Sequence, residues 1–548
     1  MPISSRLVLV AALSSFALIP EASAQDPDPR LPSLTPREFE IRGDVRVDLP
    51  QIERQPLSGF GPPPRTYVVP ADRVAITGAY DPSLDALPPL TLAAPVEPPS
   101  DLPTARYVRA EGTYGNEAAR TGRLDLSAPV ASGQFTADVD YEGVGSTSTL
   151  DEVSDDRLTA DAIIRTGGAV PLGIGASVLV DRYAMPGVEN LPTNIPNPLR
   201  RLTRLGARAE VGLPDASPFE GRVRFVSDRL APATDGAGPL IGESQSGSLL
   251  DATARLTLRN RIRLDGGIGA IGLDEGVGQD ARFAAGGGSV LFTARNGTEL
   301  LIGARGLLYE VGSLNGNGDA RAVSPIVDLS IPVGTSLRLF GSNDPRLVVR
   351  GLGDMAEANP FIVDRPVVAP DLLLVDARVG AEIVSGGITL RGFAHYTDAP
   401  TYLFFQRAPD GRFVEVYESV RLQGVTGEAA WVLPGGISVD AGATFRETEL
   451  VEGGGEIPFV APLVFRGGIQ IPFSRGRLSA TVYREGERPV GAAQDIDGFT
   501  LVSADARLDL TSQIALLVQA DRLVGSVEQW PGYPLPGTAV RGGLRVTL

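Results

Sequence analysis

Gln134–Gly143 reads QFTADVDYEG, and the chemistry of its two faces decides the fold. Side chains of a β-strand alternate between faces. Phe135, Ala137, Val139 and Tyr141 therefore fall on one side, and Gln134, Thr136, Asp138, Asp140 and Glu142 on the other. An ordinary sandwich core cannot bury three carboxylates of one strand unpaired, so the charged face belongs against water and the apolar face against lipid or a core. The pattern recurs. In DATARLTLR, Ala252, Ala254, Leu256 and Leu258 oppose Asp251, Thr253, Arg255, Thr257 and Arg259, and in VSADARLDL Ala504, Ala506 and Leu508 oppose Asp505, Arg507 and Asp509.

Such strands run to about 10 residues, the length that crosses an outer membrane when tilted. Their connections alternate in length. GVGSTSTLDEVSDDR and YAMPGVENLPTNIPNPLR are long, and so are GSLNGNGDARA, residues 343–371, VEGGGEIPF, EGERPVGAAQDIDG and GSVEQWPGYPLPG. TGGAVP, LRNRI, PVGTS, VSGG, LPGG, FSRG and LTSQ are barely long enough to reverse the chain. Short turns on one rim and long loops on the other are the signature of a bacterial membrane barrel. The expected fold is all-β, a transmembrane antiparallel β-barrel of about 22 strands. A soluble all-β domain is the alternative, because sandwiches also alternate faces. The last strand, GTAVRGGLRVTL, puts Val540, Gly542, Leu544, Val546 and Leu548 on one face and Arg541, Arg545 and Thr547 on the other. It is expected to close the barrel against a first strand near Tyr107–Tyr114, removing both exposed edges.

The chain begins with one cation in MPISSR, a short apolar run, Pro20 and the Ala-Ser-Ala of Ala22–Ala24, so residues 1–24 read as a signal peptide cleaved near Ala24. No later stretch is long and apolar enough for a spanning helix. Residues 25–102 form a proline-dense N-terminal arm (GFGPPPRTYVVP, LPPLTLAAPVEPPS), suited to extended conformations and read as a reduced plug or a periplasmic tether. Residues 103–548 are the barrel. Aromatic residues are only 6% of the chain, so interfacial girdles must be thin; Tyr114, Tyr141, Tyr183, Tyr309, Trp431 and Trp530 are candidates for them.

Composition excludes several chemistries. The 548 residues carry no Lys, 49 Arg and 66 acidic residues, a net charge of −17, which disfavours nucleic acid as a partner. Zero Cys removes thiolate sites, and without Lys there is no Walker loop. GIGAIG at Gly267–Gly272 matches a dinucleotide fingerprint by letter, yet no helix pattern follows it to receive a pyrophosphate. His395, the one histidine, sits on the face of Thr389, Arg391 and Phe393 with no nucleophile elbow to partner it. Acidic loop residues, among them Asp151, Glu152, Asp155, Asp156 and Asn315–Asp319, lack the ordered ligand spacing of a calcium loop. The chain is expected not to be an enzyme and to need no cofactor or metal. The expected functional surface is the lumen wall, lined by Arg123, Asp125, Asp138, Asp140, Arg204, Arg208, Glu210, Arg255, Arg259, Asp376, Arg378, Glu382, His395, Asp505 and Arg507.

From about Ser324 to Leu548 the chain resembles the barrel of the TonB-dependent outer-membrane receptors. The elements that carry the resemblance are SPIVDLSIPVGTSLRLFGSND, FVEVYESVRLQGVTGEAAWVLPGGISVDAGATF, IPFVAPLVFRGGIQI, TVYREGERPVG, DGFTLVSADARLDL and GYPLPGTAVRGGLRV, in that order. YVRAEGTYGN and LDLSAPVASGQFTADVDY are a fainter echo of the family's first strands. The chain departs from the pattern in three places: residues 25–102 are shorter than a full plug domain, Leu548 stands where the family usually ends in Phe, and Gly424–Val425–Thr426 replaces its Gly-Val-Glu. The resemblance implies solute passage or uptake across a bacterial outer membrane, with outer-membrane lipid, the barrel-assembly machinery, a TonB-like periplasmic motor protein and an unknown solute as partners. The alternative is a non-transporting anchor whose arm holds a periplasmic or motor-complex partner.

Overall fold

The last strand, Ala539–Thr547, pairs antiparallel with the first, Tyr107–Gly115, from Arg109 opposite Thr547 to Gly115 opposite Arg541. Beyond the ladder, Val108 and Leu548 exchange backbone hydrogen bonds of 3.0 and 2.8 Å. This seam closes one sheet into an antiparallel barrel of 22 strands, in place of a sandwich of two sheets. The structure is a computed structural model; it describes residues 106–548 except 117–118, 131–132, 145–154, 168–169, 185–198, 213–217, 234–243, 260, 275–279, 313–318, 364–365, 410, 491–494, 524–527, 531–532 and 535–537. The signal peptide and the proline-rich arm expected at residues 1–24 and 25–102 lie outside the described residues.

Closure answers the hydrogen-bonding demand of a membrane, where no water can satisfy a free strand edge. The alternation explains the rest. Arg123 pairs in register with Asp140 and Leu124 with Val139, so one face of the wall collects charge and the other collects aliphatic residues. Outward positions expose large apolar side chains, among them Val323 at 79%, Ile174 at 70% and Ile268 at 65%. A belt of this kind is costly in water and favourable in hydrocarbon. Val139 lies midway along Gly133–Val144, between outward Leu124 and Ala160. Val139→Arg is expected to cost about 2–4 kcal/mol in a refolding titration into lipid vesicles, as charges do at the midplane of a barrel's lipid face. Asp138→Asn, one residue away on the inner face, is expected to cost far less. Equal costs would mean that the two faces are misassigned.

Short turns gather on the rim that carries Tyr107 and Leu548. Gly386 and Gly387 join Val375–Ser385 to Ile388–Arg407 with φ of 56° and 81°, the positive angles a two-residue hairpin turn requires. The GIGAIG stretch lies within the strand Ile262–Asp274.

Two features of the opposite rim depart from strands of crossing length joined by loops. Ile388–Arg407 and Phe413–Val432 are 20 residues each, about twice what the membrane needs. A register shift between Ala399 and Tyr402 marks the bend in this long hairpin. The second departure is the connection between Leu337–Asn343 and Val375–Ser385. It turns inward, forms a short ribbon between Arg346–Val348 and Asp371–Leu373, and carries the helix Leu352–Ala358. From Gly351 to Leu373 most described residues are buried.

Candidate functional site: the lumen wall and the segment that crosses it

Arginine and carboxylate side chains pair along the inner face. Arg208 grips Asp161 through both terminal nitrogens, at 2.6 and 2.8 Å, in the fork geometry that guanidinium favours. Its Nε also stands 3.6 Å from Glu210, which Arg165 approaches at 3.7 Å. Arg123 Nε donates to Asp125 at 3.1 Å and lies 3.7 Å from Asp140. Arg255 reaches Glu220 at 3.4 Å. Asp376 is held by Arg346 at 2.6 Å, with Arg378 at 3.9 Å, and Glu382 faces Arg391 at 3.4 Å. Asp505 accepts from Ser479, and Arg507 donates to Asp509 at 2.7 Å. Asp138 stands opposite Asp161 in the ladder. His395 is 8% exposed, in register with Arg378 and Gly424 and 6.2 Å from the Phe393 ring.

All of these residues occupy inward strand positions. Arg259 does not: it lies in the turn after Leu258, exposed, with φ of 51°, because the chain reverses there and alternation ends. Of the six girdle candidates, Tyr114, Tyr141 and Trp431 stand on the outer face. Tyr183, Tyr309 and Trp530 are corrected. They are buried at 2%, 9% and 8%, packed against the segment that enters the lumen or against the loops that cover it.

That segment supplies the most specific constellation in the molecule. Arg204 on the strand Leu199–Val211 meets three carboxylates: Asp228 on the next strand at 2.8 Å, and Asp354 and Glu357 on the helix at 2.8 and 2.6 Å. Arg157 adds a second bond to Glu357 at 2.5 Å while facing Asp181 at 3.3 Å. Asp228 also accepts the Gly353 backbone N–H at 2.7 Å. The first N–H groups of a helix have no partner within it, so the wall supplies one, and helix formation and docking become one event. A Cβ at Gly353 would lie 2.4 Å from the Arg204 guanidinium and 2.5 Å from the Asp228 carboxylate, so a larger residue there would displace this pair. Burial pushes the Asp354 carboxyl above the usual carboxylate range, while Arg204 beside it pulls the other way.

Beyond the helix the segment continues to the far wall. Arg200 donates to the carbonyls of Pro360 and Ile362 at 3.2 and 2.5 Å, and Tyr183 donates to Pro360 at 2.9 Å. The next residues bond the strand Phe413–Val432: Phe413 N–H to Phe361 O at 3.0 Å and Val363 N–H to Phe413 O at 2.8 Å. Tyr417 donates to Val367 O at 3.2 Å and accepts from Ala369 N–H at 3.1 Å. Leu199–Val211 is the sixth strand of the wall and Phe413–Val432 the sixteenth, ten strands on in a ring of 22. Opposite sides of the barrel are thereby joined through residues 354–363. Over this bridge Phe405, Phe413, Phe459 and Trp530 pack edge to face or tilted, with Trp530 centroids 5.9, 4.9 and 5.0 Å from the three phenyl rings in that order.

Reading alternation alone missed Arg157, Asp228, Arg350, Asp354, Glu357 and Asp371. One local signal was present: Leu352, Met355 and Ala356 fall at helical spacing, and Asn359–Pro360 stops the turn.

A closed barrel with an even strand count, an apolar outer belt, short turns on one rim and long loops on the other defines a bacterial outer-membrane β-barrel. Its architecture is that of the TonB-dependent receptors. The FrpB iron transporter from Neisseria meningitidis (F3-3 variant) matches with a TM-score of 0.63 at 9% identity, over 81% of this chain and 82% of that one. The copper transporter OprC matches with a TM-score of 0.59 at 12% identity, over 81% and 80%. A point mutant of the ferric enterobactin receptor PfeA from Pseudomonas aeruginosa matches with a TM-score of 0.59 at 11% identity, again over 81% and 80%. No protein-family model matches the chain, and neither does any curated protein.

Proposed function

We propose that this barrel admits solutes across the bacterial outer membrane, without catalysing a reaction on them. The observation that carries the reading is the wall itself. A ring of 22 strands encloses more space than its own side chains fill, and away from the crossing segment its inner face is dressed with paired Arg and carboxylate groups. The fold neighbours carry names of transporters and receptors, for iron, copper and ferric enterobactin, which supports passage without naming this chain's solute. Cleavage near Ala24 would deliver the chain to the periplasm, and insertion would use the barrel-assembly machinery and the outer-membrane lipid. A TonB-like motor protein is the energy source that the architecture suggests, with residues 25–102 as its point of contact or as a reduced plug.

The test is electrical. Purified protein in a planar bilayer, with and without residues 25–102, is expected to show discrete conductance steps, larger for the shortened chain. A folded, heat-modifiable barrel that passes no ion or small solute in either form would overturn the reading.

A further inference from the structure

We propose that residues 349–370 are a gate made from the barrel's own wall, which closes the mouth on the long-loop side when docked and opens it by releasing from Arg204, Arg157 and Arg200. The inference rests on the passage reading above and adds where passage is controlled.

The segment is docked onto the wall and not woven into it. Neighbouring wall strands share continuous ladders, whereas among the described residues this segment touches the sheet through one isolated bridge, Ile362 with Phe413, and the ribbon at its ends adds one ladder pair, Leu372 with Thr401. Its other ties are side-chain bonds to the strands it crosses. Those strands keep every one of their own pairings if the segment leaves, so release does not open the barrel. The contacts are also segregated by chemistry. On the side of Leu199–Val211 the segment is held by charge pairs on the helix and by bonds from Arg200 to the carbonyls of Pro360 and Ile362, and on the far side by neutral contacts: backbone bonds to Phe413, the Tyr417 hydroxyl and a patch of aromatic rings. Charge pairs respond to a charged solute entering the mouth, since a competing ion replaces one partner without breaking covalent or ladder structure. Both ends of the segment remain anchored by the ribbon of Arg346–Val348 with Asp371–Leu373, which makes the ribbon the hinge.

Two variants test the gate, and the absence of any native Cys keeps the first one clean. A Cβ on Gly351 lies 3.7 Å from that of Leu249 on the wall, within the range a disulfide requires. Gly351 has φ of −80°, which any residue accepts. In the double variant Leu249→Cys with Gly351→Cys, oxidation is expected to pin the segment and hold the barrel in its low-conductance state. Reduction with dithiothreitol is expected to restore openings in the same bilayer. In the second variant Val348 and Asp371, which face each other in the ribbon, are joined through Asn-Gly in place of residues 349–370. Its conductance is expected to rise several-fold, with heat-modifiable migration intact. Equal conductance in the oxidised and reduced forms, or no rise on deletion in a barrel that does conduct, would refute the gate and leave passage standing. A folded deletion variant that conducts nothing would refute passage itself. If the deletion variant does not fold, the oxidised and reduced forms still decide.

Discussion

Gly543→Val is expected to prevent the barrel from closing. Gly543 lies in the seam, opposite Thr113, and a Cβ there would stand 1.9 Å from the carbonyl oxygen of Gly112. The atoms in the way are backbone, so no rotamer change relieves the clash; the first and last strands must separate and give up the hydrogen bonds that hold them. An open edge in lipid leaves a row of backbone groups without partners, each costing several kcal/mol. The variant should therefore lose heat-modifiable migration and remain protease-sensitive when offered detergent or vesicles. Gly542→Ala is the control, because its Cβ would meet only Leu517 O at 4.0 Å, an ordinary contact. A Gly543→Val protein that still migrates as a compact barrel would show that the seam is looser than drawn.

The second large effect falls on the crossing segment. Arg350 and Asp371 form a 2.5 Å ion pair whose side chains are 3% and 0% exposed, and Asp371 also accepts the Leu403 backbone N–H at 3.0 Å. Burial pushes the Asp371 carboxyl upward while Arg350 pulls it down. Truncating one member of such a pair strands the other charge away from water. Asp371→Ala is expected to weaken docking of the segment by about 3–5 kcal/mol. Amide exchange over Leu352–Ala358 reads this directly and should lose protection by the corresponding factor while the wall strands keep theirs. Replacing both partners, as Arg350→Met with Asp371→Leu, is expected to cost less, about 1–3 kcal/mol, because no charge is stranded and the loss is the acceptor of the Leu403 N–H. If the single variant keeps full protection of the helix, the pair does not hold the segment.

Alternation revealed the wall because the two faces differ so strongly in chemistry. Asp138 and Asp140 beside Val139 and Tyr141, or Asp505 and Arg507 beside Ala504 and Ala506, permit one register only. In the wall Arg123 accordingly stands opposite Asp140, and Leu124 opposite Val139. Arg259 misled because parity has no meaning beyond the last ladder pair. Tyr183 was within reach of the same logic, since it shares a face with Asp181. Tyr309 was not: in GLLYEV the lumen-facing residues are Leu307, Tyr309 and Val311, apolar because the crossing segment packs on them, so there the inner face imitates an outer one. Residues 343–371 read as a loop for a related reason. A seven-residue helix and a three-residue ribbon leave little periodicity, and what fixes them is wall chemistry contributed by residues more than a hundred positions away, such as Arg204 and Asp228.

A plug supplied as a separate domain on one linker can be pulled clear of its barrel. Residues 349–370 are continuous with the wall at both ends, so their effective concentration at the docking surface never falls far, however often they release. Opening is then a brief excursion and not a departure, and reclosure is a unimolecular step that needs no partner to return what was removed. A mouth built this way meters what enters by how long the segment stays away, and it limits the loss of other periplasmic contents during each opening.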